Sequence, residues 1–267
     1  MRYFVKSGLA VAAVCLWSMS TASAGGLLER GSSMKDAMPS HYGSVSRCYV
    51  RGDVGYSVAG DVDMEVSSPL YTQSSVTDSD IDGAWLGEIG AGCGSGSRGF
   101  RADFTLGYRG EQDVSGYKTD RPGFHFPGDL SSKVSTLTAM ANVYYDFGLF
   151  RNIVPYVGVG IGVAHHDLSD ISFSLVNTGT GAPAPSNNLS GSKATNFAWS
   201  LMAGAAYQIS ERAVLDVGYR YINLGDVSSQ RGHICSTSCG TGSNDQFSTD
   251  DITAHEFKVG LRFHFGG

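Results

Sequence analysis

The sequence predicts an all-β fold, an eight-stranded antiparallel up-and-down transmembrane β-barrel, and three observations carry that prediction. Eight segments alternate apolar and polar residues with a period of two, the spacing that separates the two faces of a strand. Long connections of roughly 20 to 30 residues alternate with short ones of about 2 to 6, the form of a barrel with long extracellular loops and short periplasmic turns. Finally, the polarity is inverted relative to a water-soluble sandwich. In HEFKVGLRFHF the apolar face, Phe257, Val259, Leu261, Phe263 and Phe265, is complete and aromatic-tipped, while Glu256, Lys258, Arg262 and His264 lie opposite. A barrel in lipid puts its apolar face outward and its polar face in the lumen.

The N-terminus carries Arg2 and Lys6, an apolar run from about Gly8 to Met19, and Ala22-Ser23-Ala24. Charge, apolar core and small-residue site together predict a secretory signal over residues 1–24, cleaved after Ala24. Residues 25–45 show no sustained period and read as a flexible periplasmic lead-in to a barrel over 46–267. No apolar run of about 18 residues follows Ala24, so no spanning helix is predicted. An aromatic content of 11% argues against disorder. The mild acidic balance, −6, gives no reason to expect nucleic acid as a partner.

The first strand, RCYVRGDVGYSV, sets Cys48, Val50, Gly52, Val54, Tyr56 and Val58 against Arg51, Asp53 and Ser57. A polar stretch follows, and AWLGEIGAGC then puts Trp85, Ile89, Ala91 and Cys93 opposite Glu88. After a short turn, FRADFTLGYRG sets Phe100, Ala102, Phe104, Leu106 and Tyr108 against Arg101, Asp103, Thr105 and Arg109. The fourth strand, TLTAMANVYYDF, opposes Leu137 to Phe147 with Thr136, Thr138, Asn142 and Asp146. PYVGVGIGVAH puts Val157, Val159, Ile161, Val163 and His165 outward and Tyr156, three glycines, Ala164 and His166 inward. NFAWSLMAGAAYQ and VLDVGYRYINL supply the sixth and seventh strands. The long loops fall at about 59–82, 110–133, 167–195 and 225–251, the third of them low in complexity.

Outward aromatics sort to the strand ends, as a barrel in lipid requires. Tyr56, Trp85, Tyr108, Phe197, Trp199, Tyr219 and Tyr221 fall toward the outer rim, and Phe100, Tyr145, Phe147, Tyr207, Phe263 and Phe265 toward the inner one. The inward face collects Arg51, Arg101, Arg109, Arg220, Lys258 and Arg262 against Asp53, Glu88, Asp103, Asp146, Asp216 and Glu256. Balanced signs predict paired charges rather than a selectivity ring. Near-constant index sums across antiparallel strands bring Asp216 to Arg262 and Arg220 to Glu256, and Arg101 meets Asp146 near the inner rim. Because an eight-stranded barrel is only wide enough for its own side chains, the interior is expected to be sealed. A narrow porin-like channel is the runner-up.

The segments YVRGDVGYS, ANVYYDFG, PYVGVGIGVA and FKVGLRFHF resemble the small eight-stranded outer-membrane barrel proteins of alphaproteobacteria, the surface-antigen and opacity-like barrels. That resemblance spans about residues 46 to 265 and implies an abundant envelope protein with exposed variable loops and no assigned chemistry. Such barrels end on the aromatic that the barrel-assembly machinery reads. This chain instead ends Phe265-Gly266-Gly267, for which less efficient recognition is expected.

Two disulfides are candidates: Cys235 with Cys239 in the last long loop, and Cys48 with Cys93 on neighbouring strands near the periplasmic end. Two loop thiols beside His233 without a histidine pair do not make a metal site, and no cofactor is expected. His165, Asp167 and Ser169 share a face at the outer end of the fifth strand, with His255 at a similar height. Nucleophilic catalysis needs a hydroxyl within reach of an oriented imidazole. No segment shows a lipid-hydrolase motif, so the expectation is a non-enzyme, a lipid-modifying enzyme on the barrel wall being the sharper alternative. The expected partners are outer-membrane lipid, the barrel-assembly machinery through the C-terminal strand, and a host or surface ligand at the loops.

Overall fold

The computed structural model describes Cys48 to Phe265, apart from residues 61, 68–73, 96–97, 119–126, 185, 187, 233 and 235–243. The signal segment, the lead-in, Cys235, Cys239, His233 and the trailing glycines lie outside the described residues. The strands are β1 (Cys48–Ala59), β2 (Met64–Ser67), β3 (Ser74–Ile81), β4 (Ala84–Gly94), β5 (Arg98–Lys118), β6 (Gly128–Phe147) and β7 (Ile153–Leu168). They continue as β8 (Ser172–Val176), β9 (Pro183–Ala184), β10 (Ser192–Gln208), β11 (Ala213–Asn223), β12 (Gln246–Thr249) and β13 (Thr253–Phe265).

Eight of them close a ring in the order β1, β4, β5, β6, β7, β10, β11, β13, with β13 pairing back onto β1 from Cys48↔Phe265 to Ala59↔Ala254. All the ring pairings are antiparallel. Closure leaves the ring no edge strand, which is what a sheet needs where no water can satisfy its backbone. Alternation fixes the faces: Val54, Ile89 and Phe257 are 64%, 66% and 62% exposed on the outer wall, while Glu256 and Met140 are at 0% inside. A one-residue slip of β13 would turn Lys258 into hydrocarbon, costing about 2–4 kcal/mol near the midplane.

Short turns close one end. Phe150 and Ile153 exchange backbone hydrogen bonds of 2.8 and 3.0 Å around Arg151 and Asn152, whose φ values are 49° and 67°. Positive φ at both central residues is the twist-matched geometry of a two-residue hairpin. The outward rings form belts. Phe100, Tyr145 and Phe147 stack edge to face at 5.2 and 5.3 Å at the turn end. At the other end Tyr56 meets Trp85 at 5.4 Å and Tyr219 meets Phe257 at 5.5 Å.

Beyond the upper belt the chain builds a second storey. The β5–β6 ladder continues to Lys118↔Gly128, β3, β2 and β12 extend the sheet from β5, and β8 and β9 extend it from β6. Bridges Ile171↔Leu189 and Gly232↔Asp245 tighten the two flanks internally, and Gln230 N, donating to Ser190 O at 3.0 Å, joins one to the other. Met64, Val66, Val114, Leu130, Ile171, Phe173, Leu189 and Phe247 are buried within it as an apolar core. The sequence reading treated 59–82, 110–133, 167–195 and 225–251 as plain connections. The structure corrects it: three of these segments carry short strands of their own, too short for a period of two to show, and in 110–133 the ring strands β5 and β6 simply run on to Lys118 and back from Gly128.

Candidate functional site

The lumen gathers the chemistry. Every interior charge named from the sequence faces inward and is buried. They form two layers. In the layer nearer the head, Glu256 accepts from Arg109 Nε at 2.6 Å and from Arg220 Nε at 2.5 Å. Arg220 Nη1 also donates to Glu88 at 2.7 Å, and Glu88 accepts from Lys258 Nζ at 2.9 Å. A continuous chain results, Arg109–Glu256–Arg220–Glu88–Lys258, drawn from four strands.

The layer nearer the turns is built around Asp103, which accepts from Arg51 Nη1 at 2.9 Å, Tyr49 OH at 3.0 Å and Asn142 Nδ2 at 2.9 Å. Arg51 also grips Asp53 through Nε and Nη2 at 2.9 and 2.7 Å. Arg101 donates to Asp146 at 3.2 and 3.3 Å and lies over the Tyr144 ring, 3.9 Å from its centroid. Arg262 donates to Asp216 through Nε and Nη2. Their Cα partners are staggered: Asp216 faces Gly260 directly, and the long guanidinium reaches it across the diagonal.

Sequence reasoning placed Tyr156 inward but missed the other two inward tyrosines. Tyr49 and Tyr144, 1% and 2% exposed, join Tyr156 in walling the lower lumen. Their signal was weak because aromatics on these strands mark the lipid face, and Tyr144 sits beside the outward Tyr145. His166 closes the upper layer. It is buried, its Nε2 donates to the Leu224 carbonyl at 3.0 Å, and its Nδ1 therefore accepts from Thr136 Oγ1 at 2.9 Å.

Elsewhere the candidates separate. Cys48 and Cys93 are directly paired across β1 and β4 and joined by a disulfide. His165 Nδ1 lies 2.7 Å from Thr195 Oγ1, but Asp167 is turned to Lys193 Nζ at 2.6 Å, and Ser169 offers its carbonyl to Ser132. Among the described residues, no carboxylate orients that imidazole. His255 Nδ1 pairs instead with Tyr219 OH at 2.6 Å. Among the described residues no group of three or more His, Cys, Asp or Glu is placed to hold a metal ion.

A closed antiparallel ring with an apolar, aromatic-belted wall and a charged, filled interior defines an integral β-barrel protein of the bacterial outer membrane. Within that class, the chain belongs to the outer membrane protein beta-barrel domain family, whose pattern matches residues 31–265. It is 36% identical over 135 residues to outer membrane protein PagN of Salmonella typhimurium, a match covering 50% of this chain and 53% of PagN. The match thus spans about half the length of that relative. Over 182 residues it is 29% identical to a protein of Rickettsia bellii named as a candidate adhesin, covering 67% of this chain and 75% of that one. The crystal structure of OprG from Pseudomonas aeruginosa superposes with a TM-score of 0.53 at 13% identity, covering 84% of this chain and 99% of OprG, and shares the fold.

Proposed function

We propose that the protein is a sealed, non-enzymatic structural barrel of the envelope whose head presents an interaction surface outside the cell. The filling of the lumen carries this reading. The cavity between Arg51, Asp53, Tyr144, Tyr156 and Lys258 measures about 10 Å³, space for roughly one water molecule. Above it the charged layer and the apolar head core stack in series, so a solute would have to break paired charges and then cross hydrocarbon. The orientation that fits has the head outside and the short turns, the lead-in and both termini in the periplasm, after removal of residues 1–24. Assembly would proceed through the barrel-assembly machinery reading β13, and the outer wall would be solvated by lipid. The name given to the Rickettsia bellii relative supports surface interaction as the role of the head, with a host or surface ligand as its target.

Planar-bilayer recording tests the seal. The purified protein should give no steady conductance. Regular single-channel steps would replace the sealed barrel with a narrow channel. Protease added to intact cells should cut only within the head, and sequencing of the mature N-terminus should begin at Gly25.

A further inference from the structure

We infer that the short-turn end carries a seat for the headgroup of an anionic phospholipid of the periplasmic leaflet; this rests on the orientation proposed above. Three turns lie side by side along the ring. The first joins β4 to β5, the second β6 to β7, and the third β10 to β11. The first two touch because Arg98 is the Cα partner of Phe147 and a side chain on Gly148 would meet that of Arg98. Gln208 N donates to Asn152 O at 3.1 Å, tying the second to the third.

Each turn presents one arginine: Arg98, Arg151 and Arg212, all exposed. Inside the barrel every arginine is matched to a carboxylate. Among the described residues, none of these three has an ion-pair partner, and the only acid on the same turns is the exposed Glu211. Their placement is built. The tight hairpin holds Arg151 at its tip, with the guanidinium 5.8 Å from the Phe150 ring centroid. In the third turn Ala213 N donates to Ser210 Oγ at 3.0 Å and Ile209 N to Ala213 O at 3.0 Å, which positions Arg212 between them.

Apolar side chains project around this arc. Phe150 is 70% exposed, and Phe147, Ile209 and Leu149 stand out beside it. An apolar belt continuous with the lipid-facing wall and edged by unpaired guanidinium groups matches one chemistry: acyl chains below, phosphate oxygens at the arginine forks. A zwitterionic headgroup brings its own ammonium to that phosphate, whereas phosphatidylglycerol brings none. At the opposite end, the described residues between β1 and β4 include Asp63, Glu65, Asp78, Asp80 and Asp82 and no lysine or arginine.

The test is native mass spectrometry of the full barrel released from micelles containing equal dioleoyl phosphatidylglycerol and phosphatidylethanolamine. The unaltered protein should retain phosphatidylglycerol with a preference of about tenfold or more, and Arg98→Gln/Arg151→Gln/Arg212→Gln should fall to near parity. Folding of the triple variant is read from its heat-dependent gel shift; should it not fold, Arg151→Gln alone, at an exposed tip, should lose a part of the preference. Parity in the unaltered protein, or an undiminished preference in a folded variant, overturns the seat. Glu211→Cys in intact cells should resist a membrane-impermeant maleimide. Labelling there alongside an intact lipid preference overturns the leaflet assignment through the orientation and leaves the arginine arc standing.

Discussion

Glu256→Gln probes how the upper charge layer is wired. Glutamine keeps the shape of Glu256 and removes its charge. Arg109, 1% exposed, would then have no carboxylate partner and only neutral acceptors, Thr138 Oγ1 at 3.3 Å and the glutamine amide oxygen, while Arg220 would still hold Glu88 at 2.7 Å. Stripping one partner from a buried pair costs about 3–5 kcal/mol, because the remaining charge stays buried and uncompensated. Removing the central cation is different. In Arg220→Met, Glu256 keeps Arg109 and Glu88 keeps Lys258, one cation for each carboxylate. The loss there is that of two charge-assisted hydrogen bonds, about 1.5–3 kcal/mol each, offset by the desolvation cost of several kcal/mol that a buried guanidinium carries and methionine does not. Urea titration of the protein refolded in phospholipid vesicles, followed by Trp85 and Trp199 fluorescence and by gel shift, measures both variants on one scale. If Arg220→Met proved as destabilising as Glu256→Gln, the linear five-residue chain would be the wrong description of this layer.

Three further outcomes are expected. Reducing the Cys48–Cys93 bond, which closes a sequence separation of 45, should lower stability by about 2–4 kcal/mol in the same titration; alkylation of the unreduced, denatured protein should leave both cysteines unmodified. Phe247→Ala empties a fully buried position in the head core and should cost about 3–5 kcal/mol there. Limited proteolysis should show new cuts within the head while the barrel keeps its heat-dependent mobility. Gly162→Ala would drive a methyl into the Ala139 carbonyl where β6 pairs with β7. The yield of folded, heat-shifting protein should fall sharply, whereas Gly87→Ala, where a Cβ meets nothing within 4 Å, should be silent.

What the amino-acid pattern discloses depends on the length over which it runs. The ring strands are 11 to 21 residues long, so each repeats its apolar and polar positions often enough to be read directly. In β2 and β12, four residues each, only two inward positions are available, and Met64 and Val66 or a lone Phe247 amid serines look like loop. The lumen is partly legible for a similar reason. Charges inside a lipid-facing barrel stand out against an apolar wall, and an antiparallel index sum places Arg220 beside Glu256. The reach of a side chain is not written in that sum. Glu88 links to Arg220 although β4 and β11 are not neighbours in the ring; that contact exists because the barrel is narrow, a property of closure rather than of either strand.

With the orientation proposed above, the upper storey has an immunological consequence. Its surface is woven from all four long connections: β12 runs beside β2, Ser190 binds Gln230, and β8 leans on β6. An antibody that grips this surface therefore reads residues far apart in sequence, and its epitope is erased by boiling and is missing from synthetic loop peptides. In that orientation an escape substitution in one connection must still fit the strand contributed by another.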